Sequence, residues 1–270
     1  MTPSGTVTIL HSFNAATDYA NHPTAPLLQA TDGNFYGVCS GCDAFGCGGG
    51  RLNDMFEMTP SGTFTVLEEF TGPNGSSPYW PLIQDTNGIM YGVAQQGGTM
   101  GGGVLFSLNI SAAPFASLVS TSGKEGAKIG ILGQGFTAAS VVKFGGTQAT
   151  AITRSGATFI SATVPAAALT GSVTVTTGAT TLTSPQTFKI TPTFPSFSPT
   201  SGSVGTPVVL TGTGLTQTTK VTFGNVKATT VTVNSHTQVT ANVPTGAVTG
   251  KIVITTKGGS AKSPTNFTVN

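Results

Sequence analysis

The sequence predicts an all-β protein, with a partial β-propeller-like repeat region followed by two small β-sandwiches. Three observations point there. Charged residues are 7% of the 270 positions while glycine fills 37. An ordinary soluble domain carries about 25% charged residues, and few charges with much Thr, Val and Gly favour strands over helices. PLLQATDGNFYGV at 26–38 returns as PLIQDTNGIMYGV at 81–93, an offset of 55, and TPSGT at 2–6 returns at 59–63, an offset of 57. Finally, GQGFTAASVVKFGGTQAT at 133–150 aligns with GTGLTQTTKVTFGNVKAT at 212–229, an offset of 79. No window shows the 3.6-residue periodicity of an amphipathic helix, and no apolar run approaches the ~20 residues of a membrane span.

A period near 50 residues is the mark of propellers and related arrays, which assigns residues 1–112 to the first region. Within a unit, short strands at Leu27–Gln29 and Phe35–Val38 flank the turn Thr31-Asp32-Gly33-Asn34, matched by Asp85-Thr86-Asn87-Gly88. Asp and Asn bond their own backbone in such turns, and Gly accepts positive φ. Glycine-rich stretches at 46–50 and 97–103 precede strands near 55–58 and 104–108. Thr59-Pro60-Ser61-Gly62 is a turn with Pro in its favoured place. The last strand alternates, so Phe64, Val66 and Phe70 should share a face, as should Val7, Ile9 and Phe13.

Four short strands per unit is the pattern of a propeller blade. Residues 5–13 read as the last strand of one blade, a full blade runs to about Phe70, and another runs to about Ile110 without its own last strand. A closed propeller has about 4–8 blades. The missing blades would come from a longer parent chain or from self-association. A circular closure of 5–13 onto the second blade would repair one edge without making a ring. Unpaired blade edges invite association.

TPSGT…LHSF, LIQ…GN.YG and GGG.VF are recurrent phrases of the GloVer tandem repeat of secreted bacterial proteins. Residues 2–13, 26–37, 81–92 and 101–106 resemble them. CSGCDAFGCGGGRLND at 39–54 departs, being longer than its counterpart in the next unit. The resemblance implies a propeller-like secreted region and no particular reaction.

The rear repeat holds without a gap from Ser122 against Ser201 to Phe188 against Phe267, which means two copies of one folded unit, at 116–191 and 194–270. Val173 and Val175 alternate with threonines, as do Ile252 and Ile254, in the manner of a small sandwich. Phe144, Phe188, Phe223 and Phe267 are the expected core. Segments 110–117 and 190–197 read as linkers stiffened by proline. SPTSGSVGTPVVLTGTGL at 198–215, VTFGNVKA at 221–228, TQVTANVP at 237–244 and GKIVITTKGGSAKSPTNFTV at 250–269 strongly resemble the IPT/TIG domain. That resemblance implies an immunoglobulin-like fold and a linking or stalk-like module, often extracellular in bacteria.

Charge is unevenly split. Residues 1–110 hold Arg51 and eight acids, a net of −7, and residues 111–270 hold ten bases and Glu125, a net of +9. Nine of the ten bases are lysines spread singly along the chain. Without a basic cluster or a helix, this argues against nucleic acid. Residues 1–15 lack the basic start and apolar core of a signal peptide, so a leader would belong to a longer parent.

Cys39-x-x-Cys42-x-x-x-x-Cys47 is the most suggestive cluster. A structural zinc site needs four ligands, so a metal would draw on Asp43 or His22. One disulfide with a spare thiol is the plainer reading for a secreted protein, and which pair joins stays open. His11, His22 and His236 lie in separate segments. Glu68 and Glu69 are neighbours in one strand and point to opposite faces. More distant acids, such as Asp32 and Asp54, could meet only through the fold. The glycine-rich stretches lack the Lys-Ser/Thr ending of a phosphate loop, and no cofactor is implied.

Tyr79 and the only tryptophan, Trp80, are the candidate binding residues. Exposed, they would stack on a sugar or anchor a partner protein. Burial between blades is the expected placement for so large an aromatic, and Tyr36 and Tyr91, equivalent in the repeat, also suggest packing. The sequence therefore predicts a non-enzymatic extracellular or cell-surface protein with a binding or structural role, its partner a polysaccharide or another surface protein. The rival is an accessory or carbohydrate-binding portion of a secreted polysaccharide-active enzyme.

Overall fold

The computed structural model describes residues 5, 7–13, 23–39 and 53–270. Among them all regular structure is β, and no helix is long and apolar enough to cross a membrane. The chain forms two compact units, Met1–Ala113 and Pro114–Asn270.

In the first unit, β1 (Leu28–Gln29), β2 (Phe35–Cys39), β3 (Asn53–Met58) and β4 (Phe64–Phe70) make a four-stranded antiparallel blade in chain order. β5 (Ile83–Gln84), β6 (Met90–Ala94) and β7 (Val104–Leu108) repeat it with three strands. The turns repeat too. Asn34 donates its N–H to Asp32 Oδ1 at 3.0 Å, and Ile89 donates to Asn87 Oδ1 at 2.8 Å. Tyr36 donates its hydroxyl to Asp32 at 2.6 Å, and Asn87 donates its amide to Tyr91 at 3.2 Å. Gly37 and Gly92 lie under equivalent aromatic rings. A Cβ on the first would come 2.5 Å from Phe56, and on the second 2.4 Å from Phe106.

Two expectations fail in this unit. Residues 7–13 form no strand. They cover the first blade through side chains instead: His11 stacks on Phe64 at 4.5 Å, and Phe13 meets Phe56 and Phe64 edge-on, each at 5.5 Å. They therefore do not complete the second blade, and among the described residues no strand pairs with the outer edge of β7. The other failure is the shared face of β4. Its register slips between Met55 and Phe56, whose partners are Glu68 and Val66. Leu67 is thus an extra residue, and a one-residue bulge flips every side chain beyond it. Phe64 joins the cluster of Cys39, Phe56 and Met58 on one face, while Phe70 joins Tyr36, Val38 and Met55 on the other.

The second unit holds two sandwiches with one topology. The first has β8 (Ala116–Leu118), β9 (Ser122–Gly123), β10 (Lys128–Gly133), β11 (Val141–Phe144), β12 (Thr147–Gln148), β13 (Ile152–Ser155), β14 (Phe159–Thr163), β15 (Gly171–Thr177) and β16 (Thr180–Ile190). Its sheets are ordered β13-β14-β10-β8 and β12-β11-β15-β16-β9. The second has β17 (Thr193–Ser198), β18 (Ser201–Gly202), β19 (Pro207–Thr213), β20 (Thr218–Phe223), β21 (Val226–Lys227), β22 (Val231–Val233), β23 (Gln238–Asn242), β24 (Gly250–Thr256) and β25 (Gly259–Val269). Its orders are β22-β23-β19-β17 and β21-β20-β24-β25-β18, the same sequence strand for strand. The expected phenylalanines fill both cores as matching edge-on pairs. Phe144 meets Phe188 at 5.1 Å, and Phe223 meets Phe267 at 5.2 Å.

Candidate functional site

Equivalent residues of the two blades meet very different surroundings. In the first blade Tyr36, Val38 and Met55 are buried, in a core completed by Leu82 and Met90 of the second blade, with Phe106 and Leu108 packed against it. Register puts Ile83 opposite Tyr91 and Val93 opposite Leu105, so the corresponding face of the second blade carries those four side chains. That face is bare. Leu105 is 74% exposed whereas Met55, its equivalent, is 1% exposed. Ile83 and Val93 are exposed as well, and Tyr91 is half-buried.

Trp80 precedes this strand group by three residues and is 60% exposed, with Tyr79 beside it at 41%. The expected burial of Trp80 between blades is not what the structure shows. Leu82, two residues on, enters the core instead, in one cluster with Met90 and Met55. An exposed indole beside a bare apolar face is an unusual concentration of greasy surface in a unit of this size.

The end of the first blade at Cys39 is different in kind. Cys39 stands opposite Asp54, and Asp54 opposite Glu69, in one line across β2, β3 and β4. Asp54 is 0% exposed, and neither carboxylate oxygen has a hydrogen-bond partner among the described residues. Burial, with Glu69 adding to it, pushes its carboxyl up to about 7. Burial and the Asp54 charge push the Cys39 thiol up to about 12. The Cys39 thiol is free and buried. The rest of the cysteine cluster, Cys42 and Cys47, lies outside the described residues, as do Asp43 and His22.

Asp32, Asn34, Tyr36 and Glu57 gather at the other end of β2, where Tyr36 donates to Asp32 at 2.6 Å and Asn34 donates to Glu57. Asp32 sits on the turn before Phe35 and Asp54 pairs at the far end of β2. A strand of that length holds them about 13 Å apart at ~3.3 Å per residue. His11 lines an apolar pocket of about 370 Å³ with Ile9, Phe13, Leu27, Phe56 and Met58. His236 lies in the second sandwich, where its carbonyl accepts from the Leu215 N–H at 3.0 Å. Among the described residues no group of three or more His, Cys, Asp or Glu side chains could hold a metal ion.

The model of the Gloeobacter/Verrucomicrobia repeat matches residues 1–159. The chain belongs to this repeat family. The match of the Gloeobacter/Verrucomicrobia repeat runs beyond the propeller-like unit and reaches Phe159 at the start of β14, inside the first sandwich. The IPT/TIG domain model matches residues 192–269, which is the second sandwich. No curated protein sequence matches the chain. Among solved structures, SGBP-B from a xyloglucan utilization locus of Bacteroides uniformis is 23% identical, with TM-score 0.29, over 58% of this chain and 50% of its own. The surface glycan-binding protein PbSGBP-B of Prevotella bryantii is 17% identical, with TM-score 0.42, over 58% of this chain and 42% of its own. SGBP-B of the Bacteroides ovatus mixed-linkage glucan locus, in complex with a mixed-linkage heptasaccharide, is 13% identical, with TM-score 0.26, over 90% of this chain and 54% of its own. The chain thus spans about half the length of these structures.

Strand alternation alone does not single out Asp54 as a buried acid. A signal was present all the same: in the run Asn53-Asp54-Met55-Phe56 it occupies a strand position whose counterpart in the next unit is the apolar Val104.

Proposed function

We propose that this chain is a non-enzymatic extracellular or cell-surface module. The propeller-like unit presents the binding surface, the paired sandwiches space or attach it, and polysaccharide is the ligand class. The observation that carries this reading is the exposure of Tyr79 and Trp80 together, in a protein that buries the phenylalanine pairs of both sandwiches completely. Aromatic rings offer a sugar a large, stiff, flat contact at small entropic cost. Catalysis has less to support it. Asp54 and Glu69 stand side by side across the first blade, but Asp54 is sealed from substrate, whereas a glycosidase needs both acids at the glycosidic bond.

Affinity electrophoresis and calorimetry against a panel of soluble polysaccharides, xyloglucan and mixed-linkage glucan among them, test the reading. At least one should bind, and Trp80→Ala should weaken that binding by about tenfold or more, as loss of one stacked aromatic does. A blank panel, or unchanged binding in Trp80→Ala, rejects it.

A further inference from the structure

Lysines that stand singly along the sequence are gathered by the second sandwich. Five fall between residues 194 and 270, with no Asp or Glu among them. Four of these, Lys220, Lys227, Lys251 and Lys262, share one face of the five-stranded sheet. Register puts Lys227 opposite Thr222, Thr222 opposite Val253, and Val253 opposite Lys262. Lys220 and Lys251 lie two residues along from that row, on β20 and β24, and so on its side. Val221 and Ile252 between them enter the core, so the lysines point outward, and all four are exposed. With strands ~4.8 Å apart and alternate residues ~6.7 Å apart, each lysine has another within about 8 Å. Lys251 is steadied by donating to the Pro264 carbonyl at 2.6 Å. The first sandwich supplies the control. At the same places in its sheet it carries Val141, Gln148, Ser172 and Thr183. The fold therefore needs no charge there, and like charges held this close repel one another.

We propose that this lysine face binds an acidic polysaccharide, whose carboxylate or sulfate groups recur along an extended chain. An open sheet gives such a chain a flat track, and lysine ammonium groups are point charges that accept varied anion geometry. Thr255, Ser260 and Asn266 share the face and offer hydroxyls and an amide to the hydroxyls of a sugar. None of these described side chains is aromatic, so nucleic-acid bases have nothing to stack on. Val253, the apolar member of the row, is half-buried and has little to insert into a lipid surface. The face lies in the second compact unit and does not depend on the Trp80 surface of the first.

The test uses the full chain, with polygalacturonate and dextran sulfate as probes in affinity electrophoresis and calorimetry. The wild type should bind at least one of them at ~50 mM salt and release it at ~500 mM, where screening confines charge interactions to about 4 Å. Lys220→Gln, Lys227→Gln, Lys251→Gln and Lys262→Gln combined should weaken binding by about tenfold or more, with the circular dichroism spectrum unchanged. Arginine at the same four places should retain binding. Lys124→Gln, Lys128→Gln, Lys143→Gln and Lys189→Gln combined remove the same charge from the first sandwich and should also retain it. Trp80→Ala should bind as the wild type does, which separates this face from the stacking surface. A wild-type chain that binds neither polymer overturns the proposal, as does unchanged binding in the first variant. Equal loss in both glutamine variants overturns it by marking net charge alone, and loss in Trp80→Ala overturns it by moving the site. Tighter binding of duplex DNA or of phosphatidylserine vesicles than of either polymer overturns it as well.

Discussion

Glu125 accepts the backbone N–H of Gly214 at 3.0 Å, and in doing so the sole acid of the basic half of the chain ties the first sandwich to the second. The same Oε1 accepts from Ala167 at 3.2 Å, and Gln217 of the second sandwich accepts from the Thr170 N–H of the first at 2.8 Å. The internal repeat shows that these contacts belong to the junction. At an offset of 79, Glu125 corresponds to Val204, and Gln217 to Ala138. Val204, the counterpart in the second sandwich, is 53% exposed.

Glu125→Ala should therefore loosen the pair without unfolding either bead. Two backbone donors lose a charged, partly buried acceptor, which costs on the order of 1–3 kcal/mol. Small-angle scattering of the variant should show a wider distribution of lengths, and calorimetric melting should separate into two transitions. A single unshifted transition would show that the junction is held elsewhere.

Gly258 marks the same contact from the other side. Its counterpart in the first copy is Ala179, yet a Cβ on Gly258 would sit 1.9 Å from the Ile190 carbonyl oxygen and 2.8 Å from Thr170 Oγ1. The repeat breaks to glycine where backbone meets backbone. Gly258→Ala should destabilise the second unit by about 1–3 kcal/mol, the usual range for overpacking. Chemical denaturation measures it, with Gly178→Ala unsuitable as a control because its φ is 58°.

The chain should lose stability as pH rises. Asp54 takes a proton more readily folded than unfolded, with its carboxyl near 7. Between about pH 4 and pH 7 the folded chain thus holds the extra proton, and stability falls across that window before levelling off. The size is on the order of a few kcal/mol. Melting temperatures between about pH 5 and pH 8 should decline in the wild type, and Asp54→Asn should remove that part of the slope.

Cys39 should be inert in the native chain. It is fully buried and its thiol stands near 12, so little thiolate exists at neutral pH. Alkylation followed by intact mass should label it only after unfolding. Because that thiol is free, a disulfide in this chain would join Cys42 to Cys47. Mass measured with and without reductant should reveal that bond, and an unchanged mass removes it.

The parts most legible in the sequence were those written twice. Phe144 and Phe223, or the Asp32 and Asn87 turns, announce themselves because the same local physics recurs at a fixed offset. What stayed hidden depended on one extra residue or on a partner far along the chain. The bulge at Leu67 obeys strand alternation on either side, so only pairing with β3 reveals that Phe70 changes face. Trp80 reads as a core aromatic by composition, yet it stays exposed while Leu82, two residues on, enters the core.

The bare face of the second blade leads to the remaining prediction. Tyr36, Val38 and Met55 show what the repeat does with this surface when a neighbour is present: it buries it under the next sheet. Ile83, Tyr91, Val93 and Leu105 offer the same surface beside the edge of β7, which no described strand pairs. Burial of a large apolar side chain is worth about 1.5–3 kcal/mol, and an open strand edge supplies hydrogen bonds to whatever docks. The isolated chain should consequently self-associate as concentration rises, with light scattering reporting a mass above 27.1 kDa. Leu105→Lys with Val93→Lys places two charges on the exposed face, touches no residue of the core, and should return the chain to monomer. A wild-type chain that stays monomeric at every concentration would remove self-association as the source of the next blade and leave a longer parent chain to supply it.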